Sequence, residues 1–138
     1  MSEPVTQKEV NVPDGVTMLS VTDLQGQITY VNEAFVLYGG YDREELLGRQ
    51  QTLLRHPDMP DELFADMWRT IKGSETWSGV VKNRCKNGDH YWVRTNVTPM
   101  YHHGRLSGYM WVRTKTARHF VETAERAYRA MSSGRNHS

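Results

Sequence analysis

The segment 76–85 places a single amide on a strand face that is otherwise apolar. Side chains alternate along a strand, so one face carries Trp77, Gly79, Val81, Asn83 and Cys85. A buried amide without a hydrogen-bond partner costs about 1–3 kcal/mol, so the Asn83 side chain needs one. A backbone group or a buried water meets that need, and so does a ligand edge that offers a donor beside an acceptor. The strand pattern leaves both interpretations open.

Large aromatic rings and a glycine accompany this amide. Trp68 and Trp77 are either core residues or rings that stack against a flat ligand. Gly79 either leaves space for a ring on the Asn83 face or marks a bulge in the strand. A small sheet with one polar group in an apolar interior is a plausible receptacle for a flat cofactor with a polar edge.

A charged loop precedes the clearest helix of the chain. Arg55, His56 and Asp58 stand just before Pro60, which suits the start of a helix. The three residues form either a solvated loop with an ion pair or a phosphate site. The phosphate interpretation rests on a cationic side chain lying beside a helix N-terminus.

Short elements must position these residues. Alternation and turn residues predict five strands, over 18–22, 27–32, 76–85, 90–100 and 106–116. Asn87-Gly88 predicts a type I′ turn between the third and fourth strands, and His103-Gly104 is a weaker turn signal. Asn32 is predicted to cap a helix that ends at Gly39-Gly40, and helical spacing predicts further helices from Pro60 to Gly73 and over 118–131. Asp42 and Glu45 have the spacing of a capping box.

Composition limits the classes of function. The 138 residues suffice for one domain, and the net charge of +1 gives no reason to expect nucleic acid or an acidic membrane surface as a partner. No apolar run is long enough to span a bilayer, and the single cysteine, Cys85, fits a reducing compartment such as the cytoplasm. Motifs of hydrolases, zinc sites and dinucleotide dehydrogenases are missing, so we expect neither an enzyme nor a metal site.

Six motifs in order resemble those of PAS domains. They are Asn-Glu-Ala-Phe, Gly-Tyr-Asp-Arg-Glu-Glu-Leu-Leu-Gly, Arg-His-Pro-Asp-Met-Pro, Phe-Ala-Asp-Met-Trp, Trp-Ser-Gly-Val-Val-Lys-Asn and Lys-Asn-Gly-Asp-His-Tyr-Trp-Val-Arg. The likeness covers about residues 18–116 and is greatest to the sensory PAS domains of bacterial aerotaxis receptors. It implies an α+β PAS fold, a five-stranded antiparallel sheet with short helices on one face, and non-covalent FAD as a redox sensor of the oxygen response.

The resemblance also implies roles for individual residues. Asn83 would meet the pyrimidine edge of the flavin ring, while Phe64, Trp68 and Trp77 would line the ring and adenosine parts of the pocket. The remaining implied cofactor-binding residues are Arg55, His56, Asp58, Asn32 and Tyr91. The light-sensing relatives carry a reactive cysteine in the segment that corresponds to 48–54, which here has none, so no cysteine–flavin adduct is expected.

Two alternatives from other classes stay open. A haem-binding PAS oxygen sensor would need an axial ligand from His56, His90 or the His102-His103 pair. A ligand-free PAS module would only dimerise or dock.

The predicted organisation has three parts. Residues 1–15 form a flexible N-terminal cap, 16–117 the PAS sensory domain, and 118–138 a C-terminal helix or linker toward an output region outside this chain. The resemblance implies as partners the HAMP and signalling region of the same receptor, and a second PAS protomer. It also implies a cytoplasmic location beneath an inner-membrane anchor.

Overall fold

The computed structural model describes residues 4–136. Residues 1–3 of the predicted cap and 137–138 of the predicted terminal segment lie outside the described residues. The strands are β1 (Thr17–Thr22), β2 (Ile28–Val31), β3 (Trp77–Arg84), β4 (His90–His102) and β5 (Arg105–Thr114). The helices are α1 (Glu33–Gly39), α2 (Arg43–Leu46), α3 (Asp61–Lys72) and α4 (Arg118–Asn136), with a 3₁₀ helix at Gln51–Leu54. All five predicted strands are confirmed, with ends shifted by one or two residues.

The strands form one antiparallel sheet in the order β2-β1-β5-β4-β3. Isolated bridges join Gln50 to Gln27 beside β2, and Arg55 to Asn83 on β3. The five residue steps from Gln50 to Arg55 run through this 3₁₀ helix and advance only about 10 Å, whereas four spacings between flat strands span about 19 Å. The sheet is therefore strongly curled, and its two edges approach each other across the segment 50–55.

The helices between β2 and β3 begin and end where the sequence predicts. Asn32 caps α1 by accepting a hydrogen bond from the backbone N–H of Phe35 at 3.0 Å, and Gly40 ends α1 in the left-handed region with φ 78°. Asp42 and Glu45 form the predicted capping box of α2. These elements lie on the concave, inner face of the sheet.

One of the two hairpin turns departs from prediction, and the turn predicted at His103-Gly104 is confirmed. The Asn87-Gly88 connection is a three-residue loop, in which Cys85 pairs with Asp89 and only Gly88 has a positive φ, of 92°. The predicted type I′ turn there was wrong, because Asn87 instead accepts a hydrogen bond from the N–H of Asp89 through its side chain. His103-Gly104 forms the two-residue turn, with φ values of 51° and 74°.

The outer face of the sheet is covered at β3 and β4 by α4. Val121 and Tyr128 of α4 pack into one apolar cluster with Trp92, and the Tyr128 hydroxyl donates to the Val80 carbonyl at 2.5 Å. Lys82 on this face is only 4% exposed. Lys82 is buried here because α4 and the loop at 56–59 cover this face of the sheet.

The N-terminal segment lies along the β3–β4 hairpin. Thr6 donates a backbone hydrogen bond to Gly88, and residues 8–10 exchange two with His90. Val12 is buried in the core, and a Cβ at Gly88 would collide with the carbonyl of Pro4. Residues 4–12 thus pack against the domain, more closely than expected of a weakly anchored cap.

Candidate functional site

The inner face of the sheet, the 3₁₀ helix and α3 enclose a cavity of about 40 Å³, hereafter the inner cavity. Its twelve lining residues are Gln51, Thr52, Leu54, Arg55, Phe64, Met67, Trp68, Val81, Asn83, Thr95, Trp111 and Arg113. Pockets for drug-sized ligands hold roughly 300–1,000 Å³. A three-ring ligand therefore enters only if the α3 wall moves outward. That wall carries Phe64 and Trp68, both half-buried.

Cross-strand register brings Asn83 to the inner cavity. Asn83 pairs with Tyr91, and the next inward pairs along the sheet are Val81 with Val93 and Gly79 with Thr95. The Asn83 side chain is 6% exposed and points to the inner face, as its strand parity predicts.

Buried polar atoms without hydrogen-bond partners cluster on the same wall. Among the described residues they include Gln51 Oε1, Thr95 Oγ1, Arg55 Nε and Arg113 Nε, all from residues that line the inner cavity. Buried polar groups in folded proteins are overwhelmingly paired, so this concentration is unusual. The wall offers both acceptors and donors to a polar ligand edge, next to an apolar surface.

Arg113 is the buried cation of this site. It is 2% exposed, and its only side-chain hydrogen bond among the described residues goes from Nη1 to Ser20 Oγ at 3.1 Å. The guanidinium also lies over the rings of Phe35, at 5.1 Å, and Trp111, at 5.8 Å. Burial lowers the pKa of Arg113 to about 10, so it remains charged at neutral pH. Burial raises the pKa of nearby Tyr91 to about 12, which keeps the phenol neutral.

Arg55 closes the mouth of the inner cavity. Its backbone bridges Asn83 across the edge of β3, which directs both side chains to the same side of the sheet. The guanidinium lies 3.9 Å from the ring centre of Phe64. Burial lowers the pKa of Arg55, and the charge of Asp61 partly opposes this effect.

His56 and Asp58 lie on the opposite face of the sheet from the inner cavity. The loop wraps around the edge of β3, and Asp58 forms an ion pair with Lys82 at 2.7 Å. The His56 ring meets His90 edge to face, at 5.8 Å between centres. Burial, followed by the positive charge of Lys82, lowers the pKa of His56 to about 4. Burial is the largest effect on Asp58 and raises its pKa, but the hydrogen bond from Lys82 and the charges of Lys82, His56 and His90 together outweigh it, and the pKa is lowered.

Of the remaining predicted residues, Trp68 lines the inner cavity, whereas Trp77 and Asn32 do not. Trp68 lines the inner cavity and meets Tyr109 and Trp111 edge to face. Trp77 lies outside the cavity wall: its indole N–H donates to Asp66 at 3.1 Å, and its ring occupies the space over Gly79. The Asn32 amide is used in capping α1 and in bonds to the backbone of Thr17 and Leu19.

The structure thus brings Asn83, Arg55, Phe64 and Trp68 together on one wall, with Tyr91 buried beside Asn83. It does not place Trp77, Asn32, His56 or Asp58 there. Their roles toward a ligand stay predictions. Sequence reasoning missed Gln51, Thr95 and Arg113. Arg113 could have been found, since it alternates with Trp111 and Tyr109 and so stands on an apolar face, as Asn83 does.

Among the described residues, the histidines and the cysteine lie outside the wall of the inner cavity. No histidine lines the inner cavity, and no group of three or more potential metal ligands occurs among residues 4–136. Burial raises the pKa of Cys85 to about 12, so the thiol is protonated and a poor nucleophile.

Across the described residues, no helix has the length and apolarity to cross a membrane.

Residues 28–113 match the protein family described as the PAS fold. Because the match covers more than half of the chain, and the sheet and helices follow the same plan, the chain belongs to the PAS-fold family.

The chain is similar in sequence to a bacterial chemoreceptor. The chain is 50% identical over 131 residues to the aerotaxis receptor of Escherichia coli (strain K12), which covers 95% of this chain and 26% of the receptor. The chain therefore spans about a quarter of that relative's length. The predicted resemblance to the PAS domain of an aerotaxis receptor is confirmed.

Solved structures confirm the predicted fold class. The dark structure of the blue-light photoreceptor Aureochrome1 LOV superposes with a TM-score of 0.69 at 20% identity, covering 80% of this chain and 86% of that one. A light-oxygen-voltage domain studied with a flavin analogue gives a TM-score of 0.66 at 20% identity, covering 88% of this chain and 87% of that one. At these identities the likeness establishes the fold alone.

Proposed function

We propose that this PAS domain holds FAD non-covalently in the inner cavity and acts as a redox-sensing domain of an aerotaxis-type chemoreceptor, without turning over a substrate. The observation that carries the proposal is the wall around Asn83. There an amide and the unpaired atoms Gln51 Oε1 and Thr95 Oγ1 face an apolar space. A flavin ring presents the matching combination, an apolar body with a polar edge.

Each residue of the cavity wall would contact a different part of the cofactor. Asn83 would pair with the donor and acceptor of the pyrimidine edge, since an amide supplies both complements. Phe64 and Trp68 on α3 would cover the ring, and their half-buried state allows them to move outward for it. Arg55 would face the phosphates at the mouth of the cavity. When bound, FAD supplies reversible electron uptake, and the protein supplies its position and its exclusion from water.

Several features support FAD over the alternatives. A haem would need an axial ligand, and His56 and His90 lie on the far side of the sheet, while the cavity wall carries no histidine among the described residues. A module that only docks would have no use for buried, unpaired polar atoms around one cavity. The related light-oxygen-voltage domain was studied with a flavin analogue, and the aerotaxis receptor is named for a response to oxygen.

The output would reach the rest of such a receptor through the elements on the outer face. Strand β3 carries Asn83 toward the inner cavity, and its Val80 carbonyl accepts a hydrogen bond from Tyr128 of α4. A changed hydrogen bond at Asn83 can thereby bias the position of α4. We place the domain in the cytoplasm, with the HAMP and signalling region of the receptor or a second PAS protomer as the partner that responds.

The deciding experiment is the absorption spectrum of the purified chain, combined with mass analysis of any ligand released on denaturation. Flavin bands and a released mass of FAD are expected. A Soret band would instead establish a haem sensor. A colourless protein that also fails to take up added flavin would overturn the proposal in favour of a ligand-free interaction module.

A further inference from the structure

The hydroxyl of Thr95 is buried on the wall of the inner cavity without a hydrogen-bond partner among the described residues. Thr95 lies on β4 and is 3% exposed, and its Oγ1 is one of the unpaired polar atoms of the cavity wall. Buried hydroxyls in folded proteins are nearly always paired, because an unpaired one has given up its hydrogen bonds with water. The Thr95 hydroxyl is therefore available to a group that enters the cavity.

The register of the sheet explains why no neighbouring strand pairs with this hydroxyl. On one side Thr95 stands opposite Gly79, which has no side chain, and the ring of Trp77 fills the space over that glycine. On the other side Thr95 stands opposite Arg113, whose Nη1 donates to Ser20 and whose Nε is itself without a partner. Neither neighbour supplies the missing hydrogen bond.

Thr95 and Asn83 lie at different levels of the same wall. Asn83 stands opposite Tyr91, and the second inward-facing pair beyond it contains Thr95. A ligand whose edge pairs with Asn83 would consequently meet Thr95 with another of its polar atoms. In a flavin, the polar atoms beyond the pyrimidine edge are the nitrogens of the central ring, of which one carries no substituent.

A hydroxyl differs from the other polar groups of this wall because one atom can both donate and accept. Rotation about the C–O bond turns its proton toward a neighbour or away from it, whereas a guanidinium group only donates and an amide must turn over to exchange its two roles. The unsubstituted central-ring nitrogen of an oxidised flavin accepts hydrogen bonds. Two electrons from an external reductant and one proton from water, which forms an N–H bond at this nitrogen, turn the same atom into a donor.

We propose that the Thr95 hydroxyl is a ligand of this ring nitrogen in both oxidation states, donating to it when the flavin is oxidised and accepting from its N–H when the flavin is reduced. The inference rests on the proposed function and adds to it a residue that holds the ring in the two states alike. Because the hydroxyl reverses its role by rotation, the change on reduction falls on the groups whose roles are fixed, such as the amides of Asn83 and Gln51.

The test compares Thr95→Val, which keeps the shape of the side chain and removes the hydroxyl, with Thr95→Ser, which keeps the hydroxyl. Because the hydroxyl has no partner in the ligand-free protein, Thr95→Val should leave the melting temperature of the flavin-free 138-residue chain unchanged or raise it. The same variant should weaken the binding of oxidised and of dithionite-reduced FAD by similar factors, about three- to tenfold, as expected for one neutral hydrogen bond. Thr95→Ser should bind FAD nearly as tightly as the wild type. Thr98→Val, at an exposed position of the same strand, is the matched control and should change neither property.

The measured affinities and melting temperatures separate the possible roles of Thr95. Unchanged FAD affinity in Thr95→Val would overturn the assignment of the hydroxyl as a ligand. A loss of affinity in only one oxidation state, seen as a shifted midpoint potential, would overturn the reversal of roles. A lowered melting temperature of the flavin-free Thr95→Val chain, accompanied by lowered affinity, would make Thr95 a structural residue instead. Failure of the wild-type chain to bind FAD would overturn the proposed function and this inference with it, and that measurement needs no variant.

Discussion

Arg55 and Asn83 face each other in an isolated antiparallel bridge at the outer edge of β3, and both side chains line the inner cavity. Residues opposite each other in such a bridge point to one side of the sheet, and the next residue along points to the other. That alternation explains why His56 reaches the outer face while Arg55 faces the cavity. The loop and the strand together form a single wall of the site.

Replacing Asn83 by alanine should weaken FAD retention or shift the midpoint potential of the flavin. The variant removes the amide that pairs with the ring edge and leaves that edge unmatched, at a cost of about 1–3 kcal/mol in binding. Equilibrium titration with FAD and a spectroscopic redox titration measure the two effects. Asn96→Ala on the outer face of β4 is the matched control. An Asn83 variant with full flavin occupancy and an unaltered potential would show that the amide has no role in flavin binding.

Replacing Arg55 by alanine should release FAD more readily, because the variant loses both a phosphate ligand and the cation that packs on Phe64. Arg55→Lys should restore binding only in part, since an ammonium retains the charge without the bidentate geometry. The FAD content of the purified proteins and the dissociation rate after dilution provide the measurement. Equal flavin content in the wild type and both variants would make the loop purely structural.

The stability of the domain should fall as the pH drops from about 6.5 to about 4. His56 has its pKa lowered from 6.5 to about 4, so within this window the unfolded chain binds more protons than the folded one. The stabilisation is present above 6.5 and is lost as the pH falls toward the folded-state pKa. Urea unfolding at several pH values should show a flatter dependence for His56→Gln than for the wild type. His102→Gln, at the exposed end of β4, serves as the control; an unchanged slope for His56→Gln would contradict the assignment.

Reduction of bound FAD should change amide-exchange protection in the strands between 76 and 116 or in the N-terminal segment. The segment is hydrogen-bonded to the β3–β4 hairpin at Gly88 and His90, so it shares any shift of that hairpin. Hydrogen–deuterium exchange of the oxidised and dithionite-reduced protein makes the comparison. Tyr128→Phe removes the bond to Val80 and should reduce any accompanying change in α4. Identical exchange in the two redox states would leave FAD a structural ligand in this domain.

Local patterns were sufficient to predict most of the fold. Alternation located every strand, and capping residues located α1 and α2, because these patterns depend on neighbours within four residues. The length of the turn after β3, and with it the register of β4, was harder to predict. A two-residue turn at Asn87-Gly88 would pair Lys86 with Asp89 and place Trp92 opposite Asn83, whereas the observed three-residue loop places Tyr91 there. A shift of one residue turns the whole strand over, so the composition of the site depended on one loop.

The site itself was predictable where it followed strand parity and not where it depended on packing between distant elements. Parity placed Asn83 in the interior. It could not show that Lys82 on the other face is also buried, since that burial comes from α4 and from Asp58. Nor could spacing show that the 3₁₀ helix would bring Gln51 to the cavity, because its position depends on the bridges that hold residues 50 and 55.

The bridges of Gln50 and Arg55 occupy backbone groups at both margins of the sheet, beside β2 and on β3. Exposed strand margins are where sheets of separate molecules join. Where residues 50–55 bridge these margins, at Gln27 and Asn83, another chain that added a strand would have to displace this segment, and with it part of the wall of the ligand site. We therefore expect strand addition at these two points to compete with retention of the ligand.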